Sequence, residues 1–314
     1  MKFKLLVANT GEDSIGIIDL KNNYDTKLIP IKCLIKEKDK SNIYLDTYHI
    51  GPYGLCLSSN KGNIYLSNVY DNSIYKINIS CKKIIDFIPV GKFPICLDVY
   101  NGSIFVLCSD SNSVSIIDES NFKLIENITV GEKPVDFEID KLNKKIYIAN
   151  NNGQSIDVID INSNIISRIK LNKNPIKIQI EKDLMYVLSN VNNGVLNISN
   201  ISIINVVNNS IIKSIDIEGI YNNMYKPHGI DFVYITSFES GCIFKIDLHS
   251  SKTIVKKQLK GMPKKIAILG NNLYITNISQ NCITIFNIKE DKMLKNIKVG
   301  IEPNDLIIIW KLIY

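Results

Sequence analysis

Gly131-Glu132-Lys133-Pro134 is followed by Val135 to Ile139, then Lys145-Ile146-Tyr147-Ile148-Ala149-Asn150, then Ser155-Ile156-Asp157-Val158-Ile159-Asp160. Apolar and polar residues alternate through each run, and Asn, Gly and Lys separate the runs. The stretch reads as three short strands with tight turns. The same phrase recurs along the chain, opened by Pro52, Pro94, Pro134, Pro175, Pro227, Pro263 and Pro303 at spacings of 42, 40, 41, 52, 36 and 40 residues. A period near forty residues is the mark of a radial array of small sheets.

Each unit is expected to hold strand A after the proline, B ending in Asn or Ser, C after a small residue, and D leading to the next glycine. The chain opens inside a unit, with B at Lys4–Asn9 and C at Ile15–Leu20. An expanded segment, Lys21–Tyr48, is expected before D, and Leu28–Ile35 is apolar enough to add a strand or hairpin there. The tail from Gly300 is an A strand with no B, C or D after it, the piece missing from the first unit. The expectation is therefore one all-β domain, 1–314, a seven-bladed β-propeller of four-stranded antiparallel blades. Its ring is closed by the C-terminal strand pairing into the N-terminal blade. The blades run 1–50 with 300–314, then 51–90, 91–130, 131–171, 172–217, 218–260 and 261–299.

Gly131-x-x-Pro134, Ile146–Asn150 and Ser155–Asp160 resemble the YVTN β-propeller repeat, whose Tyr-Val-Thr-Asn B strand precedes an Asn-Thr-Val-Ser-Val-Ile-Asp C strand. Leu273-Tyr274-Ile275-Thr276-Asn277 and Ser113–Asp118 are the nearest copies, and the resemblance spans essentially the whole chain. It implies the fold and no particular chemistry, since propellers are scaffolds for many functions. Pro227-His228-Gly229-Ile230 is similar to repeats of streptogramin-lyase-type propellers, in this one unit.

The formal charge is +6, but Arg168 is the only arginine. Because arginine does most bidentate reading of phosphate and guanine, and Lys36–Lys40 alternates in sign, single-stranded nucleic acid is a minor alternative. The seven cysteines form no Cys-x-x-Cys pair, which fits a reducing compartment. Cys242 and Cys282 stand where other units carry Ser14, Ser73, Ser113 and Ser155, so a small buried side chain is expected there. The Met1–Asn9 run is too short for a secretory signal core and no stretch approaches the ~20 apolar residues of a membrane-spanning helix. A soluble cytoplasmic protein, with no membrane association, is the expectation.

Strand order places the D–A and B–C connections on one face. The lengthened B–C connection Asn190–Asn200 of blade five, with Asn192 and Asn193, and the D–A segment Gly219–Lys226 of blade six both belong there. Together they are expected to shape a recess for a protein or peptide partner. The Lys21–Tyr48 expansion is expected on the opposite face. The residues after each proline should ring a channel mouth: Tyr53-Gly54, Ile95-Cys96, Val135-Asp136, Ile176-Lys177, His228-Gly229, Lys264-Lys265 and Asn304-Asp305. Asp136 and Asp305 against Lys177, Lys264 and Lys265 read as charge balance around the channel; Asp136, Lys177 and Asp305 join Tyr221, Tyr225, His228, Asn192 and Asn193 as the candidate ligand- or partner-binding residues, and lysines among the carboxylates argue against a metal site. No cofactor motif is present. Of the three histidines, His49, His228 and His249, only His228 beside Tyr221 and Tyr225 has a catalytic context, with Glu218 or Glu239 as its partner in a small-molecule lyase or hydrolase. The tyrosines Tyr65, Tyr147, Tyr186, Tyr234 and Tyr274 are expected to pack between blades.

Overall fold

The computed structural model describes residues 3–34, 50–192 and 197–310. These form seven four-stranded antiparallel sheets, each with its strands in the order A, B, C, D. The chain is a seven-bladed β-propeller. Its C-terminal strand, Pro303–Trp310, pairs antiparallel with Phe3–Asn9 and supplies the A strand of blade one, with Leu306 opposite Val7 and Ile308 opposite Leu5. By backbone contacts the chain divides into two units, Met1–Ile128 with Ala267–Tyr314, and Thr129–Ile266. Among the described residues, no helix is long and apolar enough to cross a membrane.

The B strands are the most deeply buried, because each is paired on both sides within its own sheet and its side chains pack against neighbouring blades of the same unit. In the second unit, Tyr147, Ala149, Ile156 and Val158 of blade four pack on Ile178, Met185, Val187 and Ile204 of blade five. In the first unit, Tyr65 and Ile74 of blade two pack on Leu97, Ile104 and Val106 of blade three. Tyr65, Tyr147, Tyr186, Tyr234 and Tyr274 are all buried, as blade packing requires. Cys242 and Cys282 are buried too.

Three local rules explain the repeat. The last residue of every C strand is Asp or Asn, and its side-chain oxygen accepts two backbone N–H groups of the C–D turn. Asp19, Asn78, Asp118, Asp160, Asn205, Asp247 and Asn287 all do this. The B–C turn closes on a left-handed residue just before the small one. Asp13, Asn72, Asn112, Gln154, Gly241 and Asn281 occupy this position with φ of 53, 57, 49, 47, 61 and 50°, which favours Asn, Asp and Gly. The glycine opening a unit is there for room: a Cβ on Gly131 would collide with the Asn150 side chain and one on Gly91 with Ser111.

The first rule corrects the reading of blade one. Asp19 caps a turn of ordinary length, and the D strand is Thr26–Pro30, running beside Ser14–Ile18. Pro30 is tolerated because this is an edge strand. The extra length therefore follows D in the sequence, between Pro30 and Pro52, rather than preceding it. Within it Ile31–Leu34 forms a short 3-10 turn, and positions 35–49, including His49, lie outside the described residues.

Blade five also differs. Its B and C strands run Leu184–Asn192 and Asn197–Asn205, nine residues each, paired through Asn192 opposite Asn197. What reads as a long connection is mostly strand, because Val191 and Ile198 continue the alternation. In blade six the A strand is only Asn223–Tyr225, paired with Tyr234–Thr236. It lies before Pro227, and Lys226–Asp231 is the A–B loop.

Removing residues 303–314 deletes the A strand of blade one. Burial of Leu306 and Ile309 alone is worth about 3–6 kcal/mol, comparable with a whole domain's stability. The expected result is loss of cooperative thermal unfolding by circular dichroism; a truncated chain melting within a few degrees of the intact one would refute the closure.

Candidate functional site

The inner-strand residues expected to face a ligand are built into clasps between blades. Asp136, Lys177 and Asn223 share one position in their blades, opposite Ala149, Leu188 and Thr236, and in blades four and five it directly follows the irregularity after the proline. Asp136 Oδ2 accepts the backbone N–H of Ile178 in blade five at 2.8 Å, and both its oxygens accept from Lys177 Nζ at 2.9 Å. Asn223 Nδ2 donates to the Lys264 carbonyl at 2.5 Å. In the first unit Asp305, opposite Ala8, repeats the arrangement: its Oδ2 accepts the N–H of Leu55 in blade two at 2.8 Å. Lys177 is held above the ordinary lysine range: burial would lower it, but the Asp136 carboxylate outweighs both burial and the nearby Lys265 charge. A buried carboxylate with two donors already in place is an architectural group first.

The structure separates the residues expected to cluster with His228. Tyr221 lies on the D–A side of blade six, buried, donating its hydroxyl to the Glu218 carbonyl at 3.0 Å and meeting Phe244 edge-on at 5.1 Å. His228 lies on the opposite face, in the A–B loop, because the A strand of blade six has already ended at Tyr225. The proline register misled here: Pro227 does not open the strand. Tyr225 stands between them, half-buried, its hydroxyl pKa raised by burial and then by Glu181.

The carboxylate that meets His228 is Glu181, at the end of the A strand of blade five, and neither Glu218 nor Glu239. Glu181 Oε1 lies 3.2 Å from His228 Nδ1 and accepts the Gly229 N–H at 2.6 Å, while Oε2 accepts from Lys226 Nζ at 2.8 Å. Lys226 is 2% exposed and sits 5.0 Å over the Tyr186 ring. Gln179 completes the clasp, its amide pairing both ways with the Lys226 backbone at 2.7 Å. Burial pushes the Glu181 carboxyl up, but the hydrogen bonds from Lys226 and Gly229 and the Lys226 charge prevail and hold it below its ordinary value. Neither Glu181 nor Lys226 is singled out by a motif; only placing the blade-six A strand before Pro227 would have brought them together. The His228 ring itself is exposed, and it is Nδ1 that meets Glu181.

On the D–A and B–C face, the blade-five hairpin is tied to blade six. Asn190 Nδ2 donates to the Tyr221 carbonyl at 3.1 Å, Ser199 Oγ to the Gly219 carbonyl at 2.9 Å, and the Tyr221 N–H to Ser199 Oγ at 3.1 Å. Beside these ties an open recess is lined by Asn197, Ile198, Asp216, Ile217, Glu218, Gly219 and Glu239. The Asp216 carboxyl is pulled below its ordinary value by Asn200 first and then by Lys173. Asn192 ends the B strand, and Asn193 lies outside the described residues. Among the described residues no three His, Cys, Asp or Glu side chains converge to hold a metal ion.

No protein-family model matches the chain, and no curated protein does. Solved structures match in fold. A putative 6-phosphogluconolactonase from Bacteroides fragilis superposes with a TM-score of 0.75 at 13% identity over 98% of both chains. The hydrazine synthase of Kuenenia stuttgartiensis gives 0.72 at 17% identity over 86% of this chain and 99% of that one. A virginiamycin B lyase from Staphylococcus aureus, a catalytically inactive variant with quinupristin, gives 0.66 at 17% identity over 95% and 89%. Proteins this far apart in sequence share an architecture and differ in the sites built on it.

The clasps generate two expectations. Asp136→Ala leaves the partly buried Lys177 without its carboxylate and the Ile178 N–H without its acceptor, and should cost about 1.5–3 kcal/mol in urea unfolding, whereas a cost under about 1 kcal/mol would place the pair with weak surface ion pairs. Glu181, with its pKa lowered from 4.5 in the folded chain, contributes stability that is present above 4.5 and lost as pH falls through its folded value. The stability gap between the wild type and Glu181→Gln, measured by urea unfolding from pH 7 to pH 3, should accordingly shrink below pH 4.5.

Proposed function

We propose that this chain is a YVTN-type propeller acting in the cytoplasm as a non-enzymatic scaffold, which docks a protein or peptide on its D–A and B–C face at blades five and six. The observation that carries the reading is the blade-five hairpin. Its strands are nine residues long where the same strands of blade four have six, an extra ~10 Å at the rise of a β-strand. The first extra pair, Asn190 and Ser199, ties the base of the hairpin to blade six, and the pairs beyond it, Val191 with Ile198 and Asn192 with Asn197, extend past those ties. A rigidly based projection beside an open recess is the geometry of a contact surface.

A second reading, a small-molecule lyase or hydrolase, is favoured by one observation. Glu181 meets His228 at Nδ1, which leaves Nε2 as the nitrogen to act as a base. The carboxylate is at the same time bound to Lys226 and Gly229, which suits a loop anchor as well as it suits catalysis.

The test is capture from native lysate by three tagged full-length forms, read by quantitative mass spectrometry: the wild type, a form in which Asn-Gly replaces residues 191–198, and His228→Ala. The short turn suits the Asn190 and Ser199 pair. A protein enriched about tenfold or more by the wild type and His228→Ala, and lost from the shortened hairpin, supports the scaffold reading. Enrichment indifferent to the hairpin overturns it.

A further inference from the structure

Residues 252–265 read Lys-Thr-Ile-Val-Lys-Lys-Gln-Leu-Lys-Gly-Met-Pro-Lys-Lys, six lysines with no acidic residue. Their first half is the outermost strand of blade six, Thr253–Gln258, paired along one edge with Cys242–Ile246. Lys252, Lys256, Lys257 and Lys260 are exposed. Lys256 lies opposite Phe244 with its ammonium 5.3 Å over that ring, which holds the stem along the sheet. Lys257 falls on the other face, opposite Ile243, and Ile254 is 54% exposed. The D strands of blades two, three and five mix their charges, Lys83 with Asp86, Lys123 with Glu126, and Lys213 with Asp216 and Glu218, whereas that of blade seven, Lys292–Lys298, is also lysine-only but has no adjacent pair to place an ammonium on each face.

The outer edge of a sheet presents backbone N–H and C=O groups that template another strand. On blade six the lysines decide which strand. A second copy of this edge would set ammonium against ammonium, so self-pairing is disfavoured, whereas a strand with carboxylates opposite Lys256 and Lys257 gains at both positions. Because the two lysines point to opposite faces, the complementary segment carries acids on both of its faces, with room for an apolar residue near Ile254. We propose that the outer edge of blade six receives an acidic, extended polypeptide segment as a fifth strand. Backbone pairing provides affinity, and Lys256 and Lys257 provide the choice of partner. This surface is separate from the blade-five hairpin, and its occupancy does not depend on the scaffold reading.

The probe is a fluorescein-labelled Glu-Val-Glu-Glu-Val-Glu peptide, with binding to the full chain followed by fluorescence anisotropy. Five further reagents decide the outcome: a Lys256→Glu/Lys257→Glu variant, a Lys123→Glu control on the rim of blade three, the same peptide N-methylated throughout, a Lys-Val-Lys-Lys-Val-Lys peptide, and a single-stranded thymidine oligonucleotide. Circular dichroism verifies that both variants are folded. The expected result is binding by the wild type and by Lys123→Glu, weakened about tenfold or more by the double reversal and by N-methylation, with the lysine peptide now preferring the reversed variant. No binding by the wild type, binding unchanged by the reversal, or equal binding of the N-methylated peptide would overturn the proposal. So would a single-stranded thymidine oligonucleotide that binds through Lys256 and Lys257 where the peptide does not, since the edge would then be a polyanion site.

Discussion

A carboxylate or carboxamide on one inner strand that bonds to the backbone of the next is the interaction on which this architecture rests. Asp136 to Ile178, Asp305 to Leu55 and Asn223 to Lys264 are three uses of one position. Apolar packing alone holds neighbouring sheets together without fixing how far one slides along the other. A directional bond at the inner end of these three interfaces removes that freedom there, and hydrogen bonds to charged groups contribute about 1.5–3 kcal/mol where the surroundings are dry. Lys177 then neutralises Asp136 without competing for the backbone donor, because the carboxylate has lone pairs enough for both.

The same economy extends to other polar residues that look like chemistry in the sequence. The aspartates closing the C strands cap turns, and the carboxyls of Asp118, Asp160 and Asp247 are pulled below their ordinary values by those turns. Once the caps and clasps are accounted for, few groups in blades five and six stand outside the repeat's own needs. The blade-five hairpin, the Glu181, Lys226 and His228 network, and the lysine edge of blade six are the three that do, and they occupy different surfaces of the second unit. A propeller separates such surfaces readily, since the two loop faces and the rim share a core without sharing residues.

Fold and repeat were legible at once because strand alternation and turn chemistry are local. The B strands at Asn63–Asn68 and Lys145–Asn150 and the closing A strand after Gly300 can be read from residue type alone. The structure departs from the sequence pattern where two local signals compete. In blade one, an apolar run hid the Asp19 cap that fixes the C–D turn. In blade six the proline does not open the strand, because Asn222-Asn223-Met224 meets the B strand first.

The site was less legible, and the reason is distance along the chain. Glu181 and His228 are 47 residues apart, and Asp305 and Leu55 are 250 apart. No spacing rule links residues whose proximity depends on the register of two neighbouring blades. The sequence by itself determined the number of blades, the order of their strands and the pairing of the last strand with the first, because these follow from periodicity and from the need to cover open sheet edges. Only the tertiary structure decided that Asp136 and Asp305 are clasps, that His228 and Tyr221 lie on opposite faces and that Glu181 anchors the blade-six loop. Each of those outcomes depends on which strand of one blade lies against which loop of the next.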